Sequence, residues 1–239
     1  MSSPPHAIVT HLGLGDCIVQ AGLAITLLER YDTLAFPCYP RYANSLRSIF
    51  VNEPRISIYT VPKLANEPHG GPADATYETA IRTAGLDLSR QIRLGLYAGR
   101  GLGIDFSKAF YEHAGVDYCK RWEACPIRDA WQKVPQLQIN TGVAKRIFLH
   151  DDGRRGFLIH RARVGAGYIY APPPNIDESI LKYASYIIAA DEIHVIDSCF
   201  LWLADSLPVK GRAYLHKYAR WPRPGNFTYE LHHNWVYLH

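Results

Sequence analysis

The segment from Ala7 to Arg30 constrains the fold more than any other part of the sequence. Ala7–Thr10 is rich in β-formers, Gly13-Leu14-Gly15 predicts a turn, and Cys17–Arg30 is long and apolar enough for a helix. Asp16 stands where a helix N-cap belongs, because a carboxylate there can accept the free N–H groups of the first turn. Strand, glycine turn and helix in this order are typical of the first unit of a parallel α/β sheet.

The rest of the chain continues to alternate between strand-like and helix-like segments. In the first half the predicted strands are Thr33–Phe36, Arg55–Val61 and Arg93–Tyr97, and the predicted helices are Tyr42–Phe50, Tyr77–Ala84 and Ser107–Ala114. In the second half the predicted strands are Arg146–His150, Phe157–His160, Tyr168–Ala171, Glu192–Ile196, Arg212–His216 and Trp235–Leu238. Helices are predicted from a cap at Asp177 to Ala190 and over Ser198–Ser206. This order predicts an α/β protein with two Rossmann-like lobes, residues 1–141 and 142–239.

Composition restricts the class of protein further. The 239 residues are 48% hydrophobic and 20% charged, which excludes a disordered chain. Five cysteines without a CxxC pair indicate free thiols in a reducing compartment. No segment approaches the roughly 18 apolar residues of a membrane span, and the N-terminus lacks the pattern of a signal peptide. We therefore expect a cytoplasmic protein. The histidines show no metal-ligand spacing, so neither a metal site nor a cofactor is expected.

The net charge of +4 is unevenly distributed. Residues 1–120 contain eleven basic and eleven acidic side chains, whereas residues 121–239 contain fifteen basic and eleven acidic ones. The excess favours an anionic ligand on the second lobe, although a mildly basic solvated surface explains it equally well.

The turn Gly13-Leu14-Gly15-Asp16 is the first candidate site. Glycines between a strand and a helix allow backbone N–H groups to approach a phosphate at the positive end of the helix. The dinucleotide fingerprint requires a third glycine, but Ile18 stands there, and the acid expected after the second strand is missing. A nicotinamide or flavin site is therefore disfavoured. Asp16 can be either a simple cap or a general base for an acceptor hydroxyl.

Three segments of the second lobe could bind an anionic ligand, because each follows a predicted strand at the sheet edge where α/β proteins bind ligands. His150 to Gly156 contains Arg154 and Arg155, whose guanidinium groups suit a pyrophosphate. The same residues can equally form a charged hairpin turn. Asp197-Ser198 stands at a helix start and can bind phosphate or ribose, or only cap the helix. Lys217 and Arg220 follow the strand Arg212–His216 and can face the same cleft or simply be solvated.

Two blocks resemble the heptosyltransferase-like glycosyltransferases (the glycosyltransferase family 9-like group). The turn Leu12 to Asp16 before an apolar helix is similar to the Leu-Gly-Asp turn of that family. The stretch from Ala189 through Asp197-Ser198 to Leu207 is similar to its donor-lobe stretch, in which a strand ends in Asp-Ser/Thr-Gly. The sequence departs from the family by having Cys199 for the glycine and Trp202 where the family has histidine.

The resemblance implies a compact GT-B fold, in which two Rossmann-like lobes face a cleft. It also implies inverting, metal-independent transfer of a sugar from a nucleotide sugar to a glycan or another hydroxyl acceptor. Asp16 would be the catalytic base. Together with the anion-binding segments described above, the resemblance assigns the nucleotide-sugar donor to Gly13, Gly15, His150, Arg154, Arg155, Asp197, Ser198 and Lys217.

Three alternatives remain open at this stage. A sugar-nucleotide epimerase-like enzyme would form product from the donor alone. A non-catalytic nucleotide- or glycan-binding module would bind without turnover. A glycosyltransferase acting on modified nucleic acid is permitted by the basic excess but not favoured, because no basic run is dense enough.

Overall fold

The first sheet forms from the N-terminal half of the chain. The structure is a computed structural model that describes residues 4–63, 74–94, 105–139, 142–173, 178–220 and 228–239. Within these residues the first sheet has the parallel strand order β3-β2-β1-β4. Its strands are β1 (His6–Val9), β2 (Leu34–Cys38), β3 (Ile56–Thr60) and β4 (Gln91–Arg93). The helices are α1 (Leu14–Val19), α2 (Ala21–Leu27), α3 (Ala43–Ile49) and α4 (Asp74–Thr83).

The second sheet is also parallel throughout the described residues, in the order β6-β5-β7-β8-β9. Helices α5 (Phe106–His113), α6 (Lys120–Glu123) and α7 (Ile127–Ala130) precede it. Its strands are β5 (Arg146–His150), β6 (Tyr168–Tyr170), β7 (Glu192–Val195), β8 (Arg212–His216) and β9 (Trp235–Leu238). Helices α8 (Ala184–Ala189), α9 (Cys199–Ser206) and α10 (Lys217–Arg220) lie between these strands. The predicted α/β class with two Rossmann-like lobes is confirmed.

The strand orders determine where ligands can bind. In each sheet the order reverses once, between β1 and β4 in the first and between β5 and β7 in the second. Loops leaving two neighbouring strands at such a point diverge to opposite faces of the sheet and leave a crevice at the carboxyl ends. Asp16 follows the carboxyl end of β1, His150 is the last residue of β5, and Asp197 follows β7.

The lobes share one apolar core. A single cluster of buried side chains contains Leu14 and Ile18 of α1 together with Phe200 and Leu203 of α9. Strands such as β2 are buried along their whole length, as expected when helices cover both faces of a parallel sheet. The boundary predicted between residues 141 and 142 adjoins Asn140 and Thr141, which lie outside the described residues, and stays a prediction. No helix in the described parts of the chain has both the length and the apolar character needed to cross a bilayer.

The start of the first helix differs from the prediction. The helix begins at Leu14, its N-cap is Gly13, and Asp16 lies inside the first turn, so the prediction that Asp16 caps the helix is wrong. The carboxylate reaches back instead and accepts the backbone N–H of Gly13. This is the acidic half of a capping box, in which the third helical residue satisfies the N–H of the cap.

The predicted single helix Cys17–Arg30 is divided at Gln20 into α1 and α2. The hydroxyl of Tyr111 lies at the break: it donates to the carbonyl of Val19 (2.8 Å) and accepts the N–H of Leu23 (3.1 Å). A side chain inserted into the backbone hydrogen bonds of a helix interrupts it locally.

The predicted strand Phe157–His160 is also wrong. Asp152 and Phe157 form one isolated antiparallel bridge around the 3-10 turn Gly153–Arg155, closed by Gly156 at a φ of 76°. Gly156 supplies the left-handed conformation that closes the turn, and residues 158–160 beyond it form no strand. Asp177, predicted to cap the next helix, lies outside the described residues.

Candidate functional site

The site lies where the first turn of α1 packs on the first turn of α9. A Cβ atom added to Gly15 would lie 2.9 Å from Cδ1 of Trp202 and 3.5 Å from Cα of Cys199. Only a residue without a side chain allows this approach. A Cβ atom on Gly13 would lie 2.5 Å from Oδ2 of Asp16, so it would displace that carboxylate rather than the helix packing. Gly15 therefore has a packing role, and the predicted contact of both glycines with the donor stays a prediction.

Gly15→Ala is expected to destabilise the protein by about 1–3 kcal/mol, because the added methyl group forces Trp202 or the helix backbone to move. Chemical denaturation measures the change. Gly153→Ala is the control, since its Cβ would meet only Leu158 at an ordinary 3.6 Å. Its stability should remain within about 0.5 kcal/mol of the wild type. Equal stability of both variants would contradict the close packing of α1 on α9.

Asp16 is held in an environment that favours its protonated form. Burial and then the charge of Asp197 raise the pKa of Asp16 from 3.8 to about 7, against smaller opposing effects of Arg220 and the Gly13 N–H. A carboxyl group with this pKa is an effective proton acceptor near neutral pH. The structure thus brings together Asp16 and Asp197, which belong to separate motifs in the sequence.

Asp197 follows β7 and is bound by two side chains. The hydroxyl of Tyr229 donates to its Oδ2 at 2.9 Å. Nη1 of Arg220 lies 3.9 Å from the same oxygen and also donates to the main-chain carbonyl of Asp197. Asp197 is only 6% exposed. The Asp197 carboxylate is therefore fixed in position, where it can bind a polar ligand or oppose the ionisation of Asp16.

Ser198 is the N-cap of α9, one of the two residues that the sequence offered for this role. Its Oγ accepts the N–H of Phe200 at 3.3 Å. Nδ1 of His150 lies 3.2 Å from the same Oγ, and the His150 ring packs on Phe200 with centroids 4.4 Å apart. Burial lowers the pKa of His150 to about 4, so the imidazole is neutral at pH 7. His150 therefore orients Ser198 by hydrogen bonding rather than contributing a positive charge.

The two arginines of the second-lobe turn differ in their surroundings. Both are exposed on the turn that closes with Asp152 and Phe157. Arg155 donates through Nε to Asp152 at 2.6 Å, and its charge acts on His150 and on Cys199 at the start of α9. Arg155 therefore lies beside the helix start. Arg154 shares the turn, and its role in donor binding stays a prediction.

Lys217 is buried, with its Nζ 5.8 Å from the ring centroid of Tyr237. Burial lowers its pKa. The cation of this segment that contacts Asp197 is instead Arg220, which the sequence placed near the cleft without assigning it a role. Tyr229 was missed altogether, because no local motif distinguishes it.

The described residues contain no group of three or more His, Cys, Asp or Glu side chains arranged to hold a metal ion. At the junction of the lobes they provide the Asp16 carboxyl group, with a pKa of about 7, and the carboxylate of Asp197. They also provide the start of α9, capped by Ser198, and the guanidinium groups of Arg155 and Arg220.

No protein-family model matches the chain, and no curated protein matches its sequence. Solved structures do match. The iron-containing dodecameric glycosyltransferase TibC from enterotoxigenic E. coli superposes over 90% of this chain with a TM-score of 0.52 and 14% identity. The chain has the fold of this glycosyltransferase. The predicted GT-B class is thereby confirmed, and the chain spans 58% of the length of TibC.

Two further structures were found. The E. coli ADP-heptose lipopolysaccharide heptosyltransferase II matches with a TM-score of 0.47 and 12% identity, over 98% of this chain and 90% of its own. A family 9 glycosyltransferase from Veillonella parvula matches with a TM-score of 0.47 and 10% identity, over 97% and 85%.

Proposed function

We propose that the protein is a heptosyltransferase-like glycosyltransferase that moves a sugar from a nucleotide sugar to a glycan or another hydroxyl acceptor. The observation that carries the proposal is the position of Asp16. Its carboxyl group lies at the junction of two lobes of this fold, opposite a helix start, with a pKa of about 7. The fold alone does not determine an activity, so the proposal depends on this site.

In the proposed reaction Asp16 takes the proton of the acceptor hydroxyl as that oxygen attacks the anomeric carbon. A new C–O bond forms while the bond from the anomeric carbon to the donor phosphate oxygen breaks. The nucleoside diphosphate leaves with the electron pair of that bond. A single displacement of this kind inverts the configuration at the anomeric carbon, and none of its bond changes requires a metal ion.

The leaving diphosphate gains negative charge and therefore needs electrostatic stabilisation. We assign this role to the N–H groups at the start of α9, where Ser198 caps the helix, and to the guanidinium group of Arg155 beside it. Arg220 lies on the same side, against Asp197. Gly13, Gly15, Arg154 and Lys217 are retained as proposed donor contacts.

The direct test is a screen of the purified protein against nucleotide sugars, with and without hydroxyl acceptors. Donors are first selected by thermal shift, since a ligand that binds only the folded state must raise the apparent stability. The proposal predicts a product that requires an acceptor, has the inverted anomeric configuration and forms equally well in EDTA. Product formed from the donor alone would indicate an epimerase-like reaction. Binding without turnover would indicate a binding module.

Arg155→Ala is expected to weaken the binding of nucleoside diphosphates about tenfold, or about 1.4 kcal/mol, because a charge-assisted contact to phosphate is lost. Isothermal titration calorimetry measures the affinity. Arg55→Ala is the matched control: Arg55 is likewise half-exposed and paired with a nearby acid, Glu53, but it precedes β3 in the first lobe. Unchanged affinity in Arg155→Ala would remove Arg155 from the donor site.

The thiols fit the proposed cytoplasmic location. All five cysteines are free, and three of them, Cys17, Cys38 and Cys125, are buried. Burial raises the pKa of Cys17 well above its ordinary value, so this thiol remains protonated. Unpaired, unreactive thiols suit a reducing compartment.

A further inference from the structure

The C-terminal strap, which comprises residues 228–239, is bound to both lobes. The N–H of Glu230 donates to Asp105 at 3.1 Å, just before α5 of the first half of the chain. The N–H of His232 donates to Asp205 of α9 at 2.9 Å. β9 then pairs with β8 at the edge of the second sheet. The strap therefore has a fixed position relative to the site.

Tyr229 is the residue of the strap that reaches the site. It is 7% exposed, and its ring packs edge-on against Phe106 and Trp202, at centroid distances of 5.9 and 4.8 Å. These contacts fix the direction of the hydroxyl, which donates to Oδ2 of Asp197 at 2.9 Å. Burial, and then Asp197, raise the pKa of Tyr229 well above its ordinary value, so the phenol remains a donor at every pH of interest.

We propose that Tyr229 is a positioning residue of the transfer reaction, which holds the carboxylate of Asp197 beside Asp16 and so keeps the general base basic. The inference rests on the proposed role of Asp16. The C-terminal strap thereby influences the reaction through Asp197, although Tyr229 itself contacts neither the donor nor the acceptor.

The charges around the pair determine the direction of the effect. Asp197 opposes ionisation of Asp16, whereas Arg220 at the end of α10 favours it. Among the described residues, the nearby Cys17 and Cys199 thiols have pKa values raised by burial and are neutral, the charge of Asp105 acts on Tyr229, and that of Arg155 acts on Cys199. Without the phenol, the Asp197 carboxylate loses the hydrogen bond that fixes its Oδ2, so its charge is no longer held against that of Asp16. Asp16 then ionises more easily and becomes a weaker base.

The test is a pH titration of the Asp16 carboxyl carbon by NMR, in the wild type and in Tyr229→Phe, Asp197→Asn and Tyr237→Phe. The midpoint should fall by about 0.5–1 pH unit in Tyr229→Phe and by about 1 unit or more in Asp197→Asn. Tyr237→Phe is the matched control, because its hydroxyl belongs to the same strap but donates to the carbonyl of Tyr229 at 2.9 Å. In Tyr237→Phe the titration midpoint of Asp16 should not move.

The double variant Tyr229→Phe/Asp197→Asn separates positioning from general damage. If the phenol acts through Asp197, the double variant titrates like Asp197→Asn alone. An unmoved Asp16 midpoint in Tyr229→Phe, or a further shift in the double variant, would overturn the positioning role. The titration needs no substrate, so its outcome is independent of the screen for activity. A shifted midpoint without any transfer would leave the positioning contact in place and reject the transferase.

Discussion

The Asp16→Asn variant is expected to transfer sugar about 10²–10⁴-fold more slowly than the wild type and yet to be the more stable protein at pH 8. The rate falls because an amide cannot accept the proton of the acceptor hydroxyl, and general base catalysis contributes about this factor. Initial rates at saturating donor and acceptor, measured from pH 5 to 9, test the first part. The wild-type rate should rise with pH through about 7, following ionisation of Asp16.

The stability change has the opposite sign because the pKa of Asp16 is raised in the folded state, from 3.8 to about 7. The folded protein binds this proton more tightly than the unfolded chain does. The stabilisation is fully present below pH 3.8 and is lost as the pH rises through 7. At pH 8 the wild type therefore carries a buried, unfavourable charge that asparagine lacks. The difference amounts to up to about 4 kcal/mol.

Urea unfolding at pH 5 and pH 8 measures this difference, which should be larger at pH 8. Asp32→Asn in the same lobe is the control, since Asp32 is exposed and should leave both rate and stability unchanged. Turnover within a few fold of the wild type in Asp16→Asn would show that Asp16 is not the base. A lower stability at pH 8 would show that its environment is not the one described.

Asp205→Ala is expected to have the largest effect on stability, a loss of about 3–5 kcal/mol. Asp205 of α9 is fully buried, and its Oδ2 accepts Nη2 of Arg121 at 2.8 Å and Nε1 of Trp122 at 3.1 Å. Its Oδ1 accepts the N–H groups of His232 and His233 and Nε1 of Trp235. Truncation leaves the buried Arg121 charge without its carboxylate and releases three donors of the strap.

Thermal or urea unfolding measures the loss. Glu178→Ala is the control, because Glu178 is exposed and its i,i+4 pair with Lys182 is worth only about 0.3–0.5 kcal/mol. Arg121→Met in the Asp205→Ala background should cost less than Arg121→Met alone, since the charge that needed Asp205 is removed. Additive effects of the two substitutions would contradict a direct ion pair.

The sequence was sufficient for elements whose signals are local. Arg146–His150, Arg212–His216 and Trp235–Leu238 were predicted with the bounds that the structure has, because each is a short run with apolar residues at its centre. For the start of α9 the sequence offered Asp197 and Ser198 as possible caps, and the structure shows that Ser198 is the cap. The first helix was misplaced because the prediction took both glycines as turn residues. Only Gly13 caps the helix, and Gly15 lies within it, against Trp202.

The site could be predicted only in part, for a physical reason. Asp16, Asp197 and Ser198 were found because each belongs to a short motif at a strand end. The raised pKa of Asp16 depends on burial and on Asp197, which lies 181 positions away in the chain (197 minus 16). Tyr229 reaches Asp197 only because Asp105 and Asp205 fix the strap on both lobes. Long-range contacts of this kind leave no periodicity or spacing in a single sequence.

The contact between Gly15 and Trp202 has an evolutionary consequence. Any side chain at position 15 would occupy space that the indole of Trp202 already fills, because a methyl group on residue 15 would lie 2.9 Å from the indole. Enlarging residue 15 beside tryptophan forces a clash, and making residue 202 smaller beside glycine leaves a cavity, so either substitution alone yields a less stable protein. Positions 15 and 202 should accordingly evolve as a pair, with alanine or serine at the first accompanied by a smaller side chain than tryptophan at the second.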